Sequence, residues 1–166
     1  SAFASSPLAN RMIFNCGARR SGTYWLQRIV TAHPTVASVP SETHLISHGL
    51  APLLERFQHD DPASTEVGVT YADRGEVLAA LRALCDVAFG AHRGPEHQRV
   101  AERTPLHVLH LDLIAEIYPD AKIVHIIRDG RDVARSIAAQ SWGPDDVASA
   151  AREWRDSVEA GRSSGL

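Results

Sequence analysis

The sequence predicts an α/β fold: three layers, with helices on both sides of a central parallel sheet. Three observations carry this. Short β-branched or aromatic runs alternate with longer segments of helical periodicity, the pattern of repeated strand–helix crossovers. Residues 122–127 (Lys-Ile-Val-His-Ile-Ile) are apolar on both alternating faces, as in a strand covered on both sides. Residues 14–26 pass from a strand-like run through a glycine-bearing loop into an amphipathic segment. The chain has 166 residues, enough for one domain and too few for two ordinary ones, so residues 1–166 are taken as a single domain.

The elements follow in order. Residues 11–15 read as the first strand. Residues 21–32 read as a helix stopped by His33-Pro34, since the residue before a proline is pushed out of the helical region. Residues 36–39, β-branched and bounded by prolines, form a second strand. Residues 41–58 carry Leu45, Ile46, Leu50, Leu53, Leu54 and Phe57, mixed with Gly49 and Pro52; they predict a short helix, a break and another helix. Residues 59–65 are a polar loop. Asp73 and Glu76 have capping-box spacing, with Asp in place of Ser or Thr. Val77, Leu78, Leu81, Leu84, Cys85, Ala88 and Phe89 then trace one helical face to about Ala91. Residues 99–102 form a short strand. Thr104 and Pro105 are N-cap and first residue of a helix that runs through Leu109, Leu113, Ile114 and Ile117 to the turn Tyr118-Pro119-Asp120. After the strand at 122–127, residues 133–140 predict a helix, and Pro144-Asp145-Asp146 starts a last one ending near Gly161.

Composition narrows the function classes. A net charge of −3 implies no general affinity for nucleic acid or anionic membrane. No apolar window is long enough to span a bilayer. The first residues are small and polar, without the basic start and apolar core of a signal peptide. Cys16 and Cys85 form no framework and read as buried free thiols. These features together lean toward the cytoplasm. No pattern in the chain specifies an oligomeric state.

The chemistry concentrates in Cys16-Gly17-Ala18-Arg19-Arg20-Ser21-Gly22-Thr23-Tyr24-Trp25. Strand, glycine loop and helix together aim backbone N–H groups and a positive helix end at an anion. The ATPase version requires Gly, four residues, then Gly-Lys-Ser/Thr. Gly17 and Gly22 have that spacing, but Thr23 stands at the lysine position and the cation sits earlier, at Arg20.

This segment, with His33-Pro34 downstream, resembles the 5′-phosphosulfate loop of sulfotransferases that use 3′-phosphoadenosine 5′-phosphosulfate (PAPS). Residues 122–136, ending Arg128-Asp129-Gly130-Arg131-Asp132-Val133-Ala134-Arg135-Ser136, resemble the family's 3′-phosphate motif. Glu102-Arg103-Thr104-Pro105 is similar to its Glu-Lys-Thr/Ser-Pro segment. Ser41-Glu42-Thr43-His44 lies where Golgi-type and many bacterial members carry a catalytic glutamate. The resemblance spans residues 11–162. It implies the P-loop NTPase-like sulfotransferase fold and PAPS as cosubstrate, with adenosine 3′,5′-bisphosphate (PAP) as product and no metal. Arg19 replaces the usual proline and Tyr24 the usual second threonine, which puts one hydroxyl contact to the 5′-phosphate in doubt. The family's fold continues well past the position of Leu166, so adenine contacts are expected there.

The resemblance assigns roles residue by residue. Arg19, Arg20, Ser21, Gly22, Thr23 and Tyr24 would bind the 5′ end of the donor; Arg128 and Ser136 would bind the 3′-phosphate. Glu42 would be the general base, with Arg20 and Arg103 supporting transfer, and Glu42, His44 and Arg103 would face the acceptor: a small molecule, carbohydrate or peptide. Structural alternatives stand beside each. Ser21 is otherwise an N-cap, and Glu42 caps a helix. Arg128 pairs with Asp129 or Asp132, and Arg103 with Glu102 or Asp112. His125 is expected as a hydrogen-bonded core residue, and the nine histidines as unligated, since His44/His48 at i, i+4 and His107/His110 at i, i+3 belong to no His-Glu-x-x-His or Cys-His pattern. Trp142 and Trp154 are expected to pack rather than stack on adenine. Two other functions compete: a P-loop nucleotide phosphotransferase, and a protein that holds PAP without turnover.

Overall fold

The computed structural model describes residues 6–57 and 74–164. The expected polar loop at 59–65 and the cap at Asp73 lie outside the described residues. Four strands, β1 (Met12–Gly17), β2 (Val36–Ser38), β3 (Arg99–Glu102) and β4 (Lys122–Ile126), form one sheet in the order β2-β3-β1-β4. Every pairing is parallel; Phe14 lies opposite Glu102 on one side and opposite Ile123 on the other. Among the described residues the helices are α1 (Thr23–Val30), α2 (Ala51–Phe57), α3 (Arg74–Gly90), α4 (Leu111–Ile117), α5 (Gly130–Ala138) and α6 (Val147–Ser163). The three-layer α/β/α arrangement expected from the sequence is thus present.

Alternation along β1 explains the layering. Met12, Phe14 and Cys16 point into the main core with Leu81, Cys85 and Phe89 of α3 and Ile114 and Ile117 of α4. Asn15 points the other way. It donates to Gln27 of α1 at 2.7 Å, and Gln27 passes the bond on to the Ala101 carbonyl of β3 at 2.8 Å. The Asn15 amide nitrogen and both ends of the Gln27 amide are satisfied in this way, whereas Asn15 Oδ1 is buried without a partner. A smaller cluster of Ala18, Val133, Ala134, Ile137 and Ala150 seats α5 and α6 beside the first loop. Both cysteines are buried and free. Burial pushes each thiol up to about 12, so neither is a thiolate nucleophile.

Three local expectations change. Residues 122–127 do not form a strand covered on both faces: β4 is at the sheet edge among the described residues, and its residues are exposed or half-buried. Apolar runs report what a strand can bury, not what lies beside it in one chain segment. Gly49 and Pro52 do not break the second helical region. A π-helical turn, Leu45–Leu50, runs straight into α2, which carries Pro52 as its second residue. The helix after Thr104 begins as a 3₁₀ segment, Pro105–His110, before α4.

Candidate active site

The carboxyl ends of all four strands open on one side, where open parallel sheets bind ligands. From β1 the chain crosses through α1 to β2 at one edge, while β4 is added at the other, so the switch point lies at the end of β1. A cleft of about 400 Å³ opens there, lined by Arg20, Gly22, Thr23, Glu42 and Arg128, with Tyr24, Trp25, Pro105 and Trp142 on its walls.

The loop after β1 is held by backbone geometry. Gly17 has φ +152°, and a β-carbon on it would lie 2.4 Å from the Ile126 carbonyl oxygen of β4. Only glycine lets β1 end this close to its neighbour. Arg20 and Gly22 both take positive φ, 66° and 106°, and α1 starts at Thr23 with no side-chain cap. The first turn of α1 therefore presents unsatisfied N–H groups to the cleft. Ser21 is 4 % exposed, and its Oγ is buried without a hydrogen-bond partner. It is not the N-cap; that position is Gly22. An orphaned hydroxyl in an arginine-bearing anion loop fits a bound phosphate or sulfate oxygen.

The second motif arrives at the same place. Arg20 Nε donates to Ser136 Oγ of α5 at 3.0 Å, and Arg128 Nη1 donates to the Arg20 carbonyl at 3.4 Å. Residues more than a hundred positions apart thus form one cationic rim. Arg128 also reaches Asp132 at 3.5 Å, a loose contact at half-exposed groups that leaves most of its donors turned outward. Its carbonyl accepts from Trp154 Nε1 at 3.1 Å, and Trp154 covers Gly130. Trp154 is therefore a packing residue that fixes the turn after β4. Arg131 is bound to Asp129, at 2.6 Å.

Arg19 behaves differently from Arg20. Its guanidinium makes a forked pair with Glu153 of α6, at 2.6 and 2.7 Å, and lies 4.3 Å over the Trp142 ring. It ties the loop to α6 and holds Trp142 at the cleft wall.

The catalytic candidates come from β2 and β3. Glu42 Oε1 lies 3.3 Å from Arg103 Nη1, and Oε2 lies 3.4 Å from His44 Nε2. Arg103 therefore pairs with Glu42 rather than with Glu102 or Asp112. It is well covered, with 13 % of its side chain exposed, and stacks 5.0 Å over the Tyr24 ring. Tyr24, where a second small hydroxyl is usual, thus supports Arg103. His44 takes φ 50°, and its ring stacks on His48 at 4.6 Å and 8°.

Sequence reasoning missed the buried group beneath these residues. Glu102 accepts from the Thr43 and Thr104 backbone N–H groups and both hydroxyls, and touches His107. The only signal was a Glu-x-Thr-Pro-x-His run at the end of a short strand. His125 also differs from expectation. Its Nε2 is buried without a partner, and the ring packs against Gly161 of α6; burial pulls its pKa down. Among the described residues no cluster has the composition of a metal site, and no helix is long and apolar enough to cross a membrane.

An arginine-bearing loop, a second arginine turn bonded to it and the carboxylate of Glu42 line one cleft at the carboxyl end of the sheet. Residues 12–164 match the sulfotransferase family, and the chain belongs to it. It is 27 % identical over 135 residues to a protein-tyrosine sulfotransferase of Drosophila melanogaster, covering 78 % of this chain and 25 % of that protein. It is 30 % identical over 132 residues to protein-tyrosine sulfotransferase 1 of Danio rerio, covering 78 % and 36 %. Nodulation protein NoeE of Sinorhizobium fredii is 23 % identical over 135 residues, covering 78 % and 31 %. The crystal structure of sulfotransferase STF9 from Mycobacterium avium superimposes with a TM-score of 0.55 at 13 % identity, covering 96 % of this chain and 56 % of that one; the likeness is one of fold. The chain thus spans a quarter to about a third of these curated relatives.

Proposed function

We propose that this chain forms the donor-binding and catalytic centre of a sulfotransferase that moves a sulfuryl group from PAPS to a hydroxyl or amine of an acceptor. The observation that carries the reading is the joined rim of Arg20, Ser136 and Arg128 around the orphaned Ser21 hydroxyl. Bound PAPS would supply the sulfuryl group, leaving as PAP.

The protein's part is positioning and charge. Ser21, Thr23 and the N-terminal amides of α1 hold the 5′ end; Arg20 adds a forked donor matched to tetrahedral oxyanions. Arg128 and Ser136 hold the 3′-phosphate. Arg19 acts on the donor only through the loop and Trp142. Glu42 takes the proton from the acceptor as its oxygen or nitrogen attacks. Arg103 fixes one carboxylate oxygen of Glu42 and His44 the other. An arginine has no proton to spare near neutral pH, so Arg103 orients and stabilises charge and is no general acid.

A nucleotide phosphotransferase is disfavoured because Thr23 stands at the lysine position. The acceptor is a small molecule, carbohydrate or peptide. Two relatives bear the name protein-tyrosine sulfotransferase, so a peptide tyrosine is the acceptor to try first.

Glu42→Gln tests the base. Its transfer rate is expected to fall by about 10²–10⁴-fold, measured with PAPS and a panel of a tyrosine peptide, a phenol and a sugar. Calorimetric affinity for PAP should stay within about twofold, because the carboxylate touches the acceptor. An unchanged rate removes Glu42 from the role.

A further inference from the structure

We propose that Glu102 is a positioning residue: its buried carboxylate, at the end of β3, clamps the segment carrying Glu42 and so aims Glu42 into the cleft. This rests on the sulfuryl-transfer reading above.

Glu102 is fully buried. Its Oε1 accepts from the Thr43 N–H at 3.3 Å, from the Thr43 hydroxyl at 3.0 Å and from the Thr104 hydroxyl. Its Oε2 accepts from the Thr104 N–H at 2.9 Å and lies 2.9 Å from His107 Nδ1. That last contact is close, though the His107 ring makes no well-formed hydrogen bond. The Thr104 oxygen in turn accepts from the N–H groups of Thr43 and His44, at 3.0 and 3.2 Å. The Thr43 oxygen accepts from Leu45 N–H at 3.3 Å, where the π-helical turn begins. Every amide from Thr43 to Leu45 thus ends, directly or through one hydroxyl, on this carboxylate.

The alternation of an extended chain does the rest. Residues 43, 102 and 104 face inward and bind one another; 42 and 103, their neighbours, face outward and meet at 3.3 Å. Burying a carboxylate is costly unless it is paired and fully hydrogen-bonded, and an apolar side chain would fill the space at less cost. A charge-assisted clamp does what an apolar residue cannot: it fixes direction. Direction matters here, because a misplacement of about 1 Å at a reacting group can cost about 10²-fold in rate.

Two variants test this in the full chain. Thr43→Val keeps the branched shape and removes the bridging hydroxyl; Glu102→Gln removes the charge. Amide hydrogen exchange at His44 and Leu45 reads the clamp itself. Transfer rates, measured with the same acceptor panel in wild-type and Glu42→Gln backgrounds, read its purpose. Thr43→Val is expected to speed that exchange, lower kcat about tenfold and leave PAP affinity within about twofold. In the Glu42→Gln background it should cost almost nothing more, because the group being aimed is gone. A residue that merely stabilises the fold would instead lower the rate equally in both backgrounds, and that result overturns the proposal. So does unchanged exchange, or faster exchange with an unchanged kcat. If Glu102→Gln does not fold, Thr43→Val alone decides. A wild-type chain that binds PAP but transfers to no acceptor defeats the sulfuryl-transfer reading and the clamp's purpose with it. An active wild type with an indifferent Thr43→Val defeats the clamp alone.

Discussion

Arg20 and Glu102 occupy opposite extremes of exposure, and each is held in a state its residue type disfavours. Arg20 adopts a left-handed backbone, φ 66°, at a cost of about 1–3 kcal/mol for a non-glycine residue; the surrounding loop enforces it and turns the guanidinium toward Ser136. Glu102 is a buried carboxylate that stays ionised. Burial alone would raise its pKa, but the close His107 ring and the hydrogen bonds from Thr104 outweigh it and hold the group at about 2. A folded pKa below the unfolded one means stability that is present above the unfolded value, 4.5, and lost as pH falls toward about 2. Urea midpoints measured from neutral pH down through this window should therefore fall for wild type, and fall less steeply for Glu102→Gln. Parallel curves would mean that Glu102 contributes nothing to acid sensitivity. Asp129 and Asp146 are also lowered, by bonds to Arg131 and Ser149. They are fully exposed, so solvent screens what they add.

At the scale of elements, the β1–α1 unit was the most legible part of the chain. Its boundaries moved by a residue or two, from 11–15 and 21–32 to Met12–Gly17 and Thr23–Val30. Local chemistry dictated it: β-branched and aromatic residues, then two glycines, then helical periodicity. Gly17 is its tightest point. Gly17→Ala should strain the backbone by about 1–3 kcal/mol and drive a methyl group into the Ile126 carbonyl. Thermal unfolding and PAP calorimetry on this variant are expected to show a lower Tm and weaker binding together, since β4 can yield only by moving the Arg128 turn. A variant with unchanged Tm would mean that the crossing is looser than the structure has it. The π-helical turn at Leu45–Leu50 was not legible. Its start depends on the Thr43 hydroxyl and on that of Thr104, 60 positions from His44, and no local pattern of residues 41–50 reports the second. The edge position of β4 was hidden for the same reason: neighbours across a sheet are chosen by the whole chain.

Among the described residues the four strands' carboxyl ends converge on one cleft, so that loops after β1, β2, β3 and β4 each contribute to it. That convergence predicts ligand preference. PAP at a hundred times its Kd should stabilise the chain by about 2.7 kcal/mol, a Tm rise of about 5–10 °C for a domain of this size. ATP with Mg²⁺ should give far less, since the lysine of ATP-binding loops is replaced by Thr23. Equal or reversed shifts in differential scanning would favour the phosphotransferase reading. Most of the candidate site was legible as motifs: Arg20 to Thr23, Glu42, Arg103, Arg128 and Ser136, grouped by the resemblance around one donor. The contacts that join or divide them were not. Arg19 looked equivalent to Arg20 in sequence, yet Glu153, 134 positions away, takes its fork. Amino-acid order alone settles strands, helices, the anion loop and the family, because propensity, periodicity and glycine placement act over a few residues. Only the folded chain decides which arginine is free, which carboxylate is buried and where Glu42 points. Those outcomes turn on pairings across tens to more than a hundred positions, and a hydrogen bond or ion pair has no energy until both partners are within about 3–4 Å.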